Sequence, residues 1–266
     1  MGGFMMRGCR LSALLVVVAL SAGGDALAAE CPIPLEHGAT WTYKGICQWF
    51  KAGKGLQSQE VVWVTTVVDA FDGSAARAAV ISGFPDELAW YEPGKEPGYS
   101  VLLATSSNVY HIDRAYPSNN YTRLAYEKSR TLAKQLATDP VHIPSEYQDK
   151  EPLLVLPLAK GAKWAGDPVR GDYDNYYCWY VADELTDPVA LLGGRTATTY
   201  EVTYQTNPDH SIMEIVPGLG ITRYVYSHHG TPAETDVRLV SFGTAAQGAN
   251  ARTTDGNNKT SELSGK

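Results

Sequence analysis

Apolar and polar residues alternate with period two along much of this chain, the spacing of strands with one wet face. In Arg195–Thr206, Tyr200, Val202 and Tyr204 fall on one side and Glu201, Thr203 and Gln205 on the other. Thr40–Phe50 and Tyr176–Asp183 are rich in aromatic and β-branched residues, which fit a pleated, half-buried surface. Glu60–Asp69 is apolar on both faces, the pattern of a central strand covered on both sides. Turn signals separate these runs. Asp72-Gly73 leads into Ala75–Gly83, Ser106-Ser107-Asn108 joins Tyr99–Ala104 to Val109–Asp113, and Asn207-Pro208-Asp209 precedes Ser211–Val216. Pro217–Gly220 bends the chain into Ile221–His229, and Glu234–Phe242 completes a last hairpin.

One segment breaks the rhythm. Thr122–Thr138 has no Gly or Pro and is rich in Leu, Ala, Lys, Gln and Glu, which predicts a helix with Leu124, Lys128, Leu132 and Leu136 on one face. Pro140 and Pro144 forbid its continuation, and Pro152–Pro157 is an extended apolar stretch. The expected fold is mainly β: a curved antiparallel sheet, a half-barrel or open barrel of about ten strands, with one inserted helix near 122–138.

The two ends read differently from the body. Met1–Arg10 is short and basic, Leu11–Leu20 is an apolar run, and Ala26-Leu27-Ala28 supplies small residues for processing. That order predicts a cleaved signal peptide over 1–28 and a secreted or periplasmic protein, the run being too short to span a bilayer. Lipid anchoring at Cys31 is the weaker alternative, because Glu30 stands where a small residue is expected. Thr244 onward is Ala, Gly, Asn, Thr and Ser with charges, the composition of a disordered tail. A single β-rich domain over 29–243 remains.

Composition narrows the partners. The formal charge is −7, and loss of Arg7, Arg10 and Asp25 with the leader makes it one charge more negative. That argues against nucleic acid and against general attraction to anionic membranes. Sixteen Tyr and six Trp against five Phe favour aromatics with a polar tip. After cleavage Cys31, Cys47 and Cys178 remain, and export predicts one disulfide. Cys31–Cys47 is the expected pair, pinning the mature N-terminus to the first strand, with Cys47–Cys178 as the alternative.

Three segments resemble known proteins: Glu36-His37-Gly38-Ala39-Thr40-Trp41-Thr42-Tyr43, Asp86-Glu87-Leu88-Ala89-Trp90-Tyr91-Glu92-Pro93-Gly94, and Val216-Pro217-Gly218-Leu219-Gly220-Ile221. They resemble uncharacterised secreted bacterial β-rich proteins, several families of which look like the lipoprotein-carrier half-barrels of the bacterial envelope. The resemblance implies a curved sheet holding a helix in its concavity. It transfers no catalytic residue.

Candidate chemistry is sparse. There is no Gly-x-Ser-x-Gly, no His-Glu-x-x-His, no phosphate-cradling Gly loop and no Cys-x-x-Cys, and no cofactor or metal is expected. With a turn at Gly230–Ala233 and His229 opposite Glu234, Tyr224, Tyr226 and His228 share the inward face with Thr235, Val237 and Leu239. Tyr200, Tyr204, Tyr224, Tyr226 and His228 are therefore the expected ligand-binding set of a binding or carrier module for an amphipathic envelope molecule. The alternatives are a structural or interaction protein with a filled core, contacting an envelope partner through its outer face or the 84–98 loop, and a glycan hydrolase with acids from the Asp86–Glu92 loop, Asp86, Glu87 and Glu92. His111 and Asp113 share a strand face without a third ligand in view, and Asp209-His210 sits in a hairpin turn, where Asp serves turn chemistry first. Asn120-Tyr121-Thr122 and Asn258-Lys259-Thr260 are sequons.

Overall fold

The computed structural model describes residues 31–112, 123–141, 151–166, 175–230 and 232–244. The leader, Asp113, both sequon asparagines and the C-terminal tail lie outside these residues. The strands are β1 (Thr40–Lys51), β2 (Gly55–Asp72), β3 (Ala76–Ser82), β4 (Tyr99–Thr105), β5 (Asn108–Ile112), β6 (Leu154–Val155), β7 (Lys163–Trp164), β8 (Trp179–Val189), β9 (Arg195–Gln205), β10 (Asp209–Val216), β11 (Gly220–His228) and β12 (Ala233–Gly243). They form one antiparallel sheet in the order β6-β5-β4-β3-β2-β1-β12-β11-β10-β9-β8-β7. Each strand thus pairs with its sequence neighbour, except that β1 pairs with β12 and the sheet is cut between β6 and β7. The mainly β architecture is as read from the alternation, with twelve strands in place of about ten. The two additions, β6 and β7, are two-residue edges too short to leave a periodic signal.

The cut is nearly sealed. The indole N–H of Trp164 on β7 donates to Pro152 O beside β6 at 2.9 Å, across the two edges. Gly161 N–H donates to Val181 O, and Val181 N–H donates to Ala162 O, so the connecting segment lies along β8. Short, covered edges of this kind block pairing with a second chain.

A single apolar cluster draws residues from every strand, among them Trp41, Trp63, Ile81, Leu102, Val109, Leu154, Trp164, Val181, Val202, Met213, Tyr224 and Val237. It is the interior of the curved sheet. Two aromatic polar tips are satisfied inside it: Trp41 Nε1–H donates to Leu219 O at 2.5 Å and Tyr43 O–H donates to Ile221 O at 2.8 Å. Both tie β1 across β12 to the start of β11.

The helix α1 (Arg123–Thr138) lies on the opposite face, which corrects the expectation of a helix in the concavity. Alternation on β3 and β4 makes the separation plain. Ala79, Ile81, Leu102 and Ala104 join the interior, while Ala78, Val80, Val101 and Leu103 pack under α1. The buried face of α1 is Ser129, Leu132, Ala133, Leu136 and Ala137, whereas Leu124 is exposed. Small residues there let the helix approach the sheet closely, so Leu132 and Leu136 share the face with alanines rather than with Leu124 and Lys128. At one edge of this contact Arg130 Nε–H donates to Asp69 Oδ2 at 3.0 Å, and Tyr126 O–H donates to the same oxygen at 2.5 Å.

The helix covers only part of the outer face. Val62 is 62% exposed, and Val64, Ile46 and Val240 are exposed too. The central position of Glu60–Asp69 stands, but its second apolar face is open where α1 does not reach.

The disulfide expectation is corrected as well. Cys31, Cys47 and Cys178 are all thiols. Cys31 lies on the segment before β1, at the end where Thr40 begins the strand, while Cys47 is seven residues along it. At about 3.3 Å per residue that is roughly 23 Å, far beyond the 4.4–6.8 Å Cα separation that a disulfide needs. Cys178 precedes β8, five strands from β1 in the sheet order.

Candidate functional site

One end of the sheet carries the unusual features. The 84–98 loop between β3 and β4 turns inward there and fills the mouth of the sheet. Phe84 and Leu88 are buried, Tyr91 nearly so, and all three belong to the interior cluster. Pro85–Leu88 is one 3-10 turn. Thr235 on β12 donates its hydroxyl to Leu88 O at 2.6 Å, and the Thr235 Oγ1 lies 3.5 Å from Cys47 Sγ. Tyr91 meets Trp49 edge-on, with ring centroids 5.7 Å apart. Phe84 stacks on His111 at 4.1 Å, and His111 Nδ1 lies 3.0 Å from Asp86 Oδ2.

Glu87 organises the loop. Its carboxylate accepts Phe84 N–H at 3.1 Å and Gly98 N–H at 2.8 Å, so one side chain joins the first and last turns. Lys95 reaches back to donate its ammonium to Glu87 O and Trp90 O. The base of the loop is pinned at Gly83, whose carbonyl accepts the Trp63 indole at 2.9 Å and the Thr65 hydroxyl. Gly83 has φ +71°, and a Cβ there would stand 2.5 Å from Val64 O, so glycine is required.

Burial pushes the Glu87 carboxyl above its ordinary value of 4.5, against the pull of Gly98 N–H and Lys95. A raised folded-state pKa gives stability that is full below the ordinary value and is lost as pH rises through the raised one. Glu87→Gln is expected to flatten that decline, while Glu87→Ala, which strands two N–H groups, is expected to cost about 2 kcal/mol near neutral pH. Urea unfolding of both variants at acid and neutral pH checks the two effects; parallel pH profiles for wild type and Glu87→Gln would exclude this role.

The tyrosine set lies where alternation placed it. Tyr200, Tyr204, Tyr224, Tyr226 and His228 share the inward face, through the pairs Tyr204↔Ser211, Tyr224↔Met213 and Tyr226↔Ser211. The β11–β12 register differs from expectation by two residues: Ser227 faces Glu234 and His228 faces Ala233. An even shift leaves every face unchanged. The face is not an open floor. Tyr224 is buried and bonded to Ser211, and burial raises its pKa strongly. Tyr226 donates to Asp209 Oδ1 at 2.6 Å, and Tyr204 packs on Trp179 at 4.9 Å. A gap lined by Trp41, Tyr43, Phe84 and Leu102 measures about 10 Å³, room for no more than a water.

Trp90 escaped the sequence reading as a distinct feature. It is 51% exposed, yet its ring is braced by Tyr226 at 5.8 Å and His228 at 4.9 Å. The signal was present in Trp90-Tyr91, but nothing in one sequence says which of two adjacent aromatics turns inward. The acids of the loop do not converge: Glu87 faces its own backbone, Asp86 faces His111, and Glu92 is exposed. Among the described residues no group of three His, Cys, Asp or Glu could hold a metal ion. Cys47 is buried, which raises its thiol pKa and suits packing rather than nucleophilic chemistry.

A larger cleft, about 700 Å³, lies at the opposite end. Cys31, Ile33–Glu36, the β2–β3 turn with Arg77, the β4–β5 turn and Gly218 line it. Arg77 there is held by Glu36 at 3.1 Å and by Asp72 at 2.5 Å. Among the described residues no helix is long and apolar enough to cross a membrane.

No family model matches this chain, and no curated protein matches it at a significant level. Two solved structures are similar. One is a protein from Bacteroides fragilis NCTC 9343, described as exported and having a YmcC-like fold, at 12% identity and TM-score 0.36 over 80% of this chain and 98% of that one. The other is a protein from Parabacteroides distasonis ATCC 8503, described as a lipoprotein, at 10% identity and TM-score 0.37 over 81% of this chain and 99% of that one. Likeness at this level carries neither a site nor an activity from those proteins to this chain.

Proposed function

We propose that this protein is an exported interaction module of the cell envelope that binds its partner at the mouth of the sheet, around the 84–98 loop. The observation that carries this reading is the division of labour within the loop. Phe84, Leu88 and Tyr91 fill the interior, while Trp90 stands outward on Tyr226 and His228. A rigidly braced, half-exposed tryptophan is the usual anchor of a binding surface. Export rests on the basic, apolar and small-residue order of the leader. In this reading Tyr226 and His228 support Trp90, and Tyr200, Tyr204 and Tyr224 are core residues. Nothing in the geometry favours a glycan hydrolase, because Glu87 is occupied by two backbone N–H groups.

The test is binding of purified protein to the isolated envelope fraction of the source organism. Trp90→Ser is expected to weaken binding about tenfold or more at an unchanged melting temperature. Equal binding by the two proteins would sink the proposal. A second reading, carriage of a small amphipathic molecule, is favoured only by the 700 Å³ cleft, which has the size of a ligand pocket. It predicts a ligand retained in native mass spectrometry and lost on Ala75→Trp, which would fill the cleft.

A further inference from the structure

We propose that the tip of the β1–β2 hairpin is an anionic-lipid-binding finger, an inference that rests on the reading of this rim as the contact surface and names its partner. The tip stands clear of the sheet. Pairing of β1 with β12 ends at Trp49↔Ala233, and β3 joins β2 only from Thr66 onward. Beyond Trp49 the hairpin continues alone through Phe50↔Leu56 and Lys51↔Gly55.

The tip is built rather than loose. Lys54 N–H donates to Lys51 O at 2.9 Å, and Gly53 and Gly55 take the positive φ that the turn requires. The Gln57 amide donates to Lys54 O and Leu56 O, both at 3.0 Å. On this frame Phe50 is 51% and Leu56 56% exposed, side by side on the outer face, with Lys51 and Lys54 exposed in the turn. Ile46, Val62 and Val64 are exposed lower on the same outer face, separated from this apolar pair by Gln48 and Ser58.

Charge complementarity selects the partner. The chain carries a formal charge of −7, yet this turn has two lysines and no acid from Phe50 to Gln59. The first acid on this face is Glu234 of β12, opposite Gln48 and three residues below Lys51, roughly 10 Å at the strand rise. A Debye length near 8 Å screens the acidic body from a surface that the tip touches. An apolar pair flanked by lysines then enters the headgroup layer, with Phe50 and Leu56 at the acyl boundary and the ammonium groups on lipid phosphates. Trp90, on the same rim, is the residue type that favours that depth.

The experiment is co-sedimentation of the processed protein with vesicles of phosphatidylglycerol and phosphatidylethanolamine, against phosphatidylcholine alone. The expected result is at least tenfold stronger partitioning to the anionic vesicles, weakened by salt. The double change Lys51→Glu with Lys54→Glu should reduce it about tenfold or more. Phe50→Ser with Leu56→Ser should remove the binding that survives high salt, at an unchanged melting temperature. Equal partitioning to both vesicle types, or no effect of the lysine changes, overturns the inference. So does a dimer in light scattering that dissolves on changing Phe50 and Leu56, since a second copy would then cover the apolar pair. Loss of vesicle binding alone leaves the rim reading intact if Trp90→Ser still weakens binding to the envelope fraction; failure of both removes both.

Discussion

Leu88→Ala is expected to destabilise the protein by about 3 kcal/mol, a fall in melting temperature of roughly 6–12 °C for a chain of this size. Leu88 belongs to a connecting loop, and a loop residue on the surface would cost within about 0.5 kcal/mol when truncated. Here its side chain is completely buried in the interior cluster, and its carbonyl is held by Thr235 from the far side of the mouth. Truncation removes apolar contacts and leaves a cavity that the pinned loop cannot collapse to fill, since Glu87 and Gly83 fix both of its ends. Chemical unfolding measures the cost, and a value near zero would mean that the loop lies outside the sheet. Phe84→Ala should act in the same direction, because Phe84 is buried and stacked on His111.

Gly45→Ala is the second large effect, at least about 3 kcal/mol, and it acts on the pair that closes the circle of strands. A Cβ on Gly45 would stand 1.9 Å from Asp236 O and 2.7 Å from Val237 Cα, all backbone atoms of β12. No rotamer relieves a clash with backbone, so β1 and β12 must separate where the first and last strands meet. Gly243→Ala is the control. It lies at the end of the same strand pair with nothing within 4 Å, and it should change stability by no more than about 0.5 kcal/mol. Circular dichroism melts of the two variants decide the point; equal stability would mean that β1 and β12 are not so closely apposed.

The strands were legible because their signal is local. Tyr200, Val202 and Tyr204 alternate with polar neighbours, and Asp72-Gly73 and Asn207-Pro208-Asp209 mark their turns whatever the rest of the chain does. Faces survived even the two-residue error in the β11–β12 register, because side-chain direction depends only on parity. What failed was long-range. The side of the sheet on which α1 packs depends on β3 and β4 being apolar on both faces, which suits a helix on either side. The Cys31–Cys47 pair was expected because it would pin the mature N-terminus to the first strand, but the extended strand carries Cys47 away from Cys31. The inward turn of the 84–98 loop depends on Thr235, Cys47 and Tyr226, remote residues that no local pattern connects to Leu88 or Trp90. Whole-chain charge likewise hid the lysines of the β1–β2 tip, since an average says nothing about where charges project.

Cys47 reports on the central claim, because its thiol lies beneath the loop, beside Thr235 and Leu88. The most direct measurement is the rate of alkylation of Cys47 in the native protein, followed by mass spectrometry of the peptide that contains it. A mouth filled by Phe84, Leu88 and Tyr91 predicts labelling at least about a hundredfold slower than in the unfolded chain, the protection expected of a buried thiol that reacts only on opening. It also predicts faster labelling in Leu88→Ala. Labelling of native Cys47 at the rate of the unfolded chain would mean an open concave face and would contradict the account.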